Sequence, residues 1–269
     1  RQHRLMEPGA KVLDAVGRWF ELYGGVPEPQ AEPRGFGAEL ALSRYGFLKT
    51  VWDEEQSKSR HCVGWEPANA PGFANLLLFD GYISGSKEAL RRAELIAGQT
   101  LAQEGPGGLL SPACCHILKG QLPFHWGKLQ EAYGPMRQEA LGARGGQGED
   151  GAWRFHPSPD RAILGADGTA ELGLCGRPAW VLLRHARMTG DKAALEAGLR
   201  ALRFVDDSFV VPRGAQGWEC PLHEPDILAS AYGLAAFLEA YRATGEDHYL
   251  QQARYWARTG LPFVYMWDD

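Results

Sequence analysis

The sequence predicts an all-α protein of helical hairpins, arranged as an incomplete ring with its long loops on one face. Three observations predict it. A three-residue turn with a central glycine recurs as Ser84-Gly85-Ser86, Thr189-Gly190-Asp191 and Thr244-Gly245-Glu246. Each turn separates a mostly apolar helical stretch from a charged one. The last two turns align without a gap at a shift of 55 residues, which puts Gly190 on Gly245, Leu195 on Leu250 and Arg187 on Arg242. A repeated unit of this size cannot bury its apolar face alone and must stack on its neighbours.

Taken in order, helices are expected over 11–23 and 39–52, joined by a Pro/Gly-rich link over 26–37. The next pair is a nearly uncharged helix over 73–83 and a helix over 86–104 rich in Lys, Arg and Glu. Gly85 suits the left-handed end of the first helix and Ser86 the N-cap of the second. A weaker pair, over 114–120 and 126–141, is broken at Pro123. The helix over 178–188 carries Trp180, Val181, Leu182 and Leu183, with Pro178 placed in its first turn, where a missing N–H costs little. Its partner over 191–207 starts at Asp191, a good cap. Over 226–243, Ile227, Ala231, Leu234, Leu238 and Tyr241 form one helical stripe, and Leu228, Tyr232 and Ala235 widen it. That helix should be covered on most sides, while 246–258 has one apolar face (Tyr249, Leu250, Ala253, Trp256) and belongs outside.

Short turns lie inside pairs and long loops between them, over 53–72, 105–113, 142–176 and 208–225. By alternation every long loop emerges at one end of the array. Long loops without regular structure are uncommon unless functional, and their bias to one end favours a closed ring over an open solenoid. Five hairpins are counted, and a six-hairpin ring needs one more.

The remaining composition sets bounds. The chain has 269 residues, 45% hydrophobic and 23% charged, with a net charge of −5 that leaves no electrostatic footprint for nucleic acid. No apolar run approaches the roughly 18 residues that span a membrane. Arg1-Gln2-His3-Arg4 lacks a signal-peptide core. The chain starts without Met and stops at Trp267-Asp268-Asp269, directly after an apolar loop, so it reads as a piece of something longer. The expected division is residues 1–38, a helix and link, and residues 39–269, a hairpin domain truncated at its C-terminus. A soluble protein is expected, cytoplasmic or exported with a leader outside this chain. The compartment and the oligomeric state stay open. Five cysteines without regular spacing, Cys62, Cys114, Cys115, Cys175 and Cys220, argue against a disulfide framework.

The Thr-Gly-Asp and Thr-Gly-Glu hairpins, with the loop-to-helix passage Gly217-Trp218-Glu219-Cys220-Pro221-Leu222-His223-Glu224-Pro225-Asp226, resemble the six-hairpin (α/α) toroid glycosidase-like superfamily. The likeness covers residues 39–269, is architectural, and singles out no specific family. It implies an incomplete (α/α)6 toroid whose funnel holds sugar-binding aromatics and acidic residues. A second likeness is local. Gln147-Gly148-Glu149-Asp150-Gly151-Ala152-Trp153 is similar to the Gln-x-x-Asp-Gly-x-Trp repeat of terpenoid cyclases, where the repeat is structural. It occurs once, without the acidic motif that does the chemistry in those enzymes.

The loop over 208–226 is the most loaded segment. Trp218 offers a flat face for a sugar ring. Glu219 and Asp226 supply a carboxylate pair of the kind glycoside cleavage uses, one protonated and one ionised. His223 is a helper in proton transfer. Asp226 has a second reading as the cap of the helix that follows. The loop over 142–176 adds Asp150 as a reserve carboxylate, Trp153 as a second platform, and His156. Glu171 falls on Asp226 at the 55-residue shift, so the two read most simply as repeated caps. The loop over 53–72 contributes Trp65 and His61 to substrate binding. His116 and His125 complete a set of histidines expected near one end, which would suit acid–base work or epimerisation. Cys220, His223 and Glu219 offer donors for zinc, but the pair lacks a second half at a familiar spacing, so no metal and no cofactor are expected.

The expected function is a carbohydrate-active enzyme of the glycoside hydrolase or polysaccharide lyase type, its site in the funnel and its partner a carbohydrate. The alternatives are a non-catalytic helical-repeat or sugar-binding scaffold, and a toroid sugar epimerase or terpenoid-cyclase-like enzyme.

Overall fold

The computed structural model describes residues 14, 17, 18, 21, 35–60, 66–106, 109 and 125–263. They are 69% helix and 3% strand, which places the protein in the all-α class. Among them, no helix is long and apolar enough to cross a membrane. The chain divides into two compact units, residues 31–138 and residues 1–30 with 139–269. One boundary falls inside the Pro/Gly-rich link; the other lies between Gln138 and Glu139, inside a helix.

In the unit over 31–138, α1 (Phe36–Tyr45) runs into a π turn (Gly46–Thr50). A two-stranded antiparallel ladder follows, β1 (Trp52–Asp53) with β2 (Lys58–Ser59), in register Trp52 to Ser59 and Asp53 to Lys58. The sequence predicts a helix through Trp52 and a loop from Asp53 here, because strands of two residues carry no periodicity. The bend is set locally: Asp53 Oδ1 accepts from the Gln56 N–H at 2.8 Å. The hairpin α2 (Pro71–Ser84) and α3 (Lys87–Glu104) supplies this unit's core through Leu77, Leu78, Ala93, Ile96 and Ala97. Arg44 grips Asp80 with two bonds, 2.6 and 2.8 Å, and ties α1 to α2.

The helix α4 (Leu129–Gly145) crosses the boundary and carries Pro135 inside it. The helix expected over 114–120 lies outside the described residues. The unit over 139–269 then contains two complete hairpins: α5 (Leu172–Thr189) with α6 (Lys192–Ser208), and α7 (Ile227–Thr244) with α8 (Asp247–Thr259). The helix expected from Pro178 starts six residues earlier, at Leu172, and Pro178 lies in its interior. An interior proline costs about 3 kcal/mol. The stripe Leu172, Cys175, Ala179 and Leu183, all at 0% exposure, offsets that cost, since burying one Leu contributes about 1.5–3 kcal/mol. The two inner helices start at positions that the 55-residue register pairs, Leu172 and Ile227.

The three glycine turns share one chemistry. Gly85, Gly190 and Gly245 have φ of 70, 77 and 76°. The hydroxyl before each glycine (Ser84, Thr189, Thr244) donates to the carbonyl four residues back, at 2.7–2.9 Å, and accepts from the N–H two residues on, at 3.2 Å. Ser86 caps α3 through the Ala89 N–H, and Asp191 caps α6 through Ala193 and Ala194. Glu246 makes no side-chain cap bond.

The helices α5 and α7 pack side by side, with α6 against α5 and α8 against α7. Small residues line the inner contact (Ala179, Ala229, Ala236, Ala240), and Phe237, Tyr249 and Trp256 fill the space towards α8. The two inner helices are parallel. Their N-terminal ends share the loop at 212–215, where the Gly173 N–H donates to Arg213 O at 2.8 Å and the Asp226 N–H to Pro212 O at 2.9 Å. Their C-terminal ends share one carboxylate: Glu239, 5% exposed, takes Arg187 Nε at 2.5 Å and Arg242 Nη1 at 3.0 Å. The arginines that the repeat superposes thus converge on a single partner.

Candidate functional site

Connectivity sends the two long loops of this unit, 146–171 and 209–226, to the N-terminal ends of α5 and α7. There they bind each other. The Leu222 N–H donates to Leu164 O at 2.7 Å, and the Leu222 side chain, 2% exposed, lies against Gly165, Gly217 and Phe155. Arg213 bridges to Pro225, which folds the second loop back on itself. The result is a platform of two joined loops over the ends of two inner helices.

The first loop is anchored by the segment that looks like a cyclase repeat. Gln147 Nε2 donates to Gly151 O (3.0 Å) and to Ala197 O on α6 (2.9 Å), and its Oε1 accepts from Arg200. Asp150 and Gly151 form the turn, with the Gly151 N–H donating to Gly148 O at 2.9 Å. Trp153 donates from Nε1 to Ala143 O at the end of α4 (2.9 Å) and packs between the cores of α4–α5–α6 and α5–α7. Trp153 is therefore a half-buried strut in this fold. Asp150 is paired to Arg154 (2.5 Å) and accepts from the Ala152 N–H at 3.2 Å, and the guanidinium holds its carboxyl down to about 2. A carboxyl so low carries no proton to donate near neutrality. Further along, exposed His156 pairs through Nδ1 with Asp167 at 2.7 Å.

In the second loop, Trp218 is 43% exposed and Glu219 is exposed, held by Gln216 Nε2 at 3.1 Å. Backbone bonds from the Glu219 and Cys220 N–H groups to Gln216 O, at 3.0 and 2.9 Å, form the turn that presents both side chains. His223 is exposed. Asp226 has no free oxygen. Its Oδ1 accepts from the Ala229 N–H (2.7 Å) as the cap of α7, and its Oδ2 from the Ala215 N–H (3.1 Å) as a strut of the loop. The expected pair of Glu219 and Asp226 thus has one solvent-facing member and one engaged by the backbone.

Glu171 behaves differently from its repeat partner. It occupies the same N-cap position, with φ −141° and ψ 162° against −141° and 148° at Asp226, yet makes no cap bond. It is half-buried. Burial pushes its carboxyl above the ordinary value, against the opposing pull of Arg213 and then His223. Burial also raises Cys175, one turn along α5, to about 11. Cys175 and Cys220 are both free thiols. The 55-residue alignment marked Glu171 but suggested a cap. The discriminating signal is that Glu, one methylene longer than Asp, is not among the preferred N-caps. Arg213 carries no signal in the sequence.

His61 and Trp65 lie outside the described residues, as does His116. His125 accepts from or donates to Tyr82 Oη through Nδ1 at 2.8 Å, and Tyr82 lies in the last turn of α2, so His125 sits near the tight-turn end of the α2–α3 hairpin. Among the described residues, no three His, Cys, Asp or Glu side chains are arranged to hold a metal ion.

Hairpins stacked with parallel inner helices and joined loops at one end define the class: an all-α helical-hairpin protein with a loop platform. No protein-family model matches the sequence, and no curated protein matches it.

Proposed function

We propose that the chain is a carbohydrate-active enzyme, of the glycoside hydrolase or polysaccharide lyase type, acting on the loop platform, and that its hairpins are part of an incomplete (α/α)6 toroid. The observation that carries the reading is the pairing of an exposed Trp218 face with the exposed carboxylate of Glu219 on one short turn, in the same loop as Arg213 and His223, which bear on Glu171. An aromatic face binds the C–H side of a pyranose, and carboxyl groups of unlike surroundings divide acid and base roles. Parallel inner helices with their partners outside support the toroid.

A second reading, a non-catalytic sugar-binding scaffold, draws support from the engagement of Asp226 and Asp150, which leaves fewer carboxylates for chemistry. One experiment separates the two. The purified chain is screened against neutral and uronate-containing oligosaccharides for binding and for turnover, together with Trp218→Ala and Glu219→Gln. The enzyme reading expects Trp218→Ala to weaken binding at least tenfold and Glu219→Gln to abolish turnover while binding persists. Binding without turnover by the unaltered chain supports the scaffold. Absence of both binding and turnover across the panel removes the carbohydrate reading.

A further inference from the structure

The two repeats place a carboxylate at the same point, and the fold uses only one of them. Asp226 caps α7 and props residue 215; Glu171, at the equivalent position with nearly the same backbone angles, does neither. The Glu171 side chain makes no bond to the first N–H groups of α5. The neighbouring loop is shaped around it instead. Gly214, with φ 76°, lies so close that a Cβ there would stand 2.5 Å from Glu171 Cβ and 3.1 Å from its Cγ. The stem of Glu171 is therefore enclosed, and only small backbone fits over it.

We infer that Glu171 is the acid/base residue of the loop platform, with Arg213 and His223 as its charged partners. This deepens the carbohydrate reading and rests on it for the identity of the substrate. Three features fit the role. The carboxyl has no structural task. It is half-buried, which favours the protonated form, and that bias survives the opposing pull of Arg213 and His223. Arg213, whose backbone carbonyl is tied to Gly173, keeps its Nε buried and without a hydrogen-bond partner, and its charge bears on the Glu171 carboxyl. Arg213 and His223, both from the loop over 209–226, are the charged groups that bear on Glu171, and the Cys175 thiol is its titratable neighbour on α5.

The protonated Glu171 gives its proton to the glycosidic oxygen as the bond from the anomeric carbon to that oxygen breaks, and the bonding electrons stay on the oxygen. Water adds to the anomeric carbon and gives up one proton to Glu219. The two carboxyl groups then exchange that proton through solvent, and Glu171 is reset.

The test is made on the full chain and does not need the substrate. Glutamate is labelled with 13C at the carboxyl carbon, and Glu171→Gln assigns the resonance. The same protein is treated with diazoacetamide near neutrality, which esterifies protonated, accessible carboxyls, and the site is mapped by mass spectrometry. The inference expects the Glu171 carbon to titrate above the other glutamates, to move higher still in Arg213→Gln, and Glu171 to be esterified first. A Glu171 that titrates with the surface glutamates, or that stays unlabelled while Glu219 reacts, overturns it. Should the oligosaccharide panel give neither binding nor turnover while Glu171 still titrates high and labels, the carbohydrate reading fails alone. Where turnover is found, Glu171→Gln should lower kcat by about 10²–10⁴-fold and remove the high-pH limb of the rate profile, with KM nearly unchanged. A retained limb is also decisive against the assignment.

Discussion

Replacing Asp226 and Glu171 in turn with alanine compares two positions that the repeat makes equivalent and the fold makes unequal. At Asp226, alanine removes the cap bond to the Ala229 N–H at 2.7 Å and the strut to the Ala215 N–H at 3.1 Å. Loss of an N-cap costs about 1 kcal/mol. Loss of a bond from a charged acceptor to a buried N–H costs about 1.5–3 kcal/mol, and residue 215 is 8% exposed, so water does not take the acceptor's place. The expected loss is therefore about 3 kcal/mol. Glu171→Ala breaks no cap bond and removes a carboxyl whose burial is itself unfavourable, so it should fall within about 1 kcal/mol of the unaltered chain. Asp226→Asn sharpens the comparison. Its amide oxygen still caps α7, while its NH2 group faces the Ala215 N–H, donor against donor. It should lie between the two, down by about 1–2 kcal/mol. Urea unfolding followed by tryptophan fluorescence measures all three, with midpoints read at constant slope. Equal losses at Asp226 and Glu171 would falsify the view that only one carboxylate of the pair is structural.

Gly173→Ala sets a Cβ 2.2 Å from Ala215 N and 2.3 Å from its Cα, against backbone that cannot rotate away. Overpacking of about 3 kcal/mol, less about 1 kcal/mol of helix propensity gained, leaves a net loss of about 2 kcal/mol in the same urea assay; a stabilised variant would contradict the close approach of the loop to α5. Glu239→Gln removes the charge shared by Arg187 and Arg242, but these side chains are 39% and 51% exposed and can turn to water, so the cost should be about 1–2 kcal/mol rather than the 3–5 of a fully buried pair. A double-mutant cycle of Arg187→Met with Glu239→Gln should give a coupling of at least about 0.5 kcal/mol, and zero coupling excludes the clamp between α5 and α7. The raised carboxyl of Glu171 means that the native state holds a proton the unfolded chain releases first. Its stabilising contribution is whole below the unfolded value near 4.5 and is lost as pH rises through the higher folded value. Unfolding free energies measured from pH 4 upward should therefore fall more steeply for the unaltered chain than for Glu171→Gln; parallel curves would show that the group is not shifted.

The sequence alone determined the hairpins. The glycine turns are written in local chemistry, since a hydroxyl, a left-handed glycine and a capping residue need only their own neighbours, and Ser84-Gly85-Ser86, Thr189-Gly190-Asp191 and Thr244-Gly245-Glu246 close in the same way. The repeat register also marked Glu171 as the partner of Asp226, although the helix that follows it is expected only from Pro178 and in fact starts at Leu172. What tertiary structure decided is the use of each residue. Arg187 and Arg242 look alike in the repeat, yet Arg242 meets Glu239 one turn back on its own helix, whereas Arg187 meets it only because α5 packs on α7. Asp226 and Glu171 hold the same place in the repeat, and they part because the second loop offers the Ala215 N–H to one and the bare backbone of Gly214 to the other. Trp153, a sugar platform by composition, is claimed by the Ala143 carbonyl. Local patterns fix backbone geometry over a few residues; the fate of a carboxylate or an indole depends on partners ten to fifty-two residues away in the chain, and no periodicity records them.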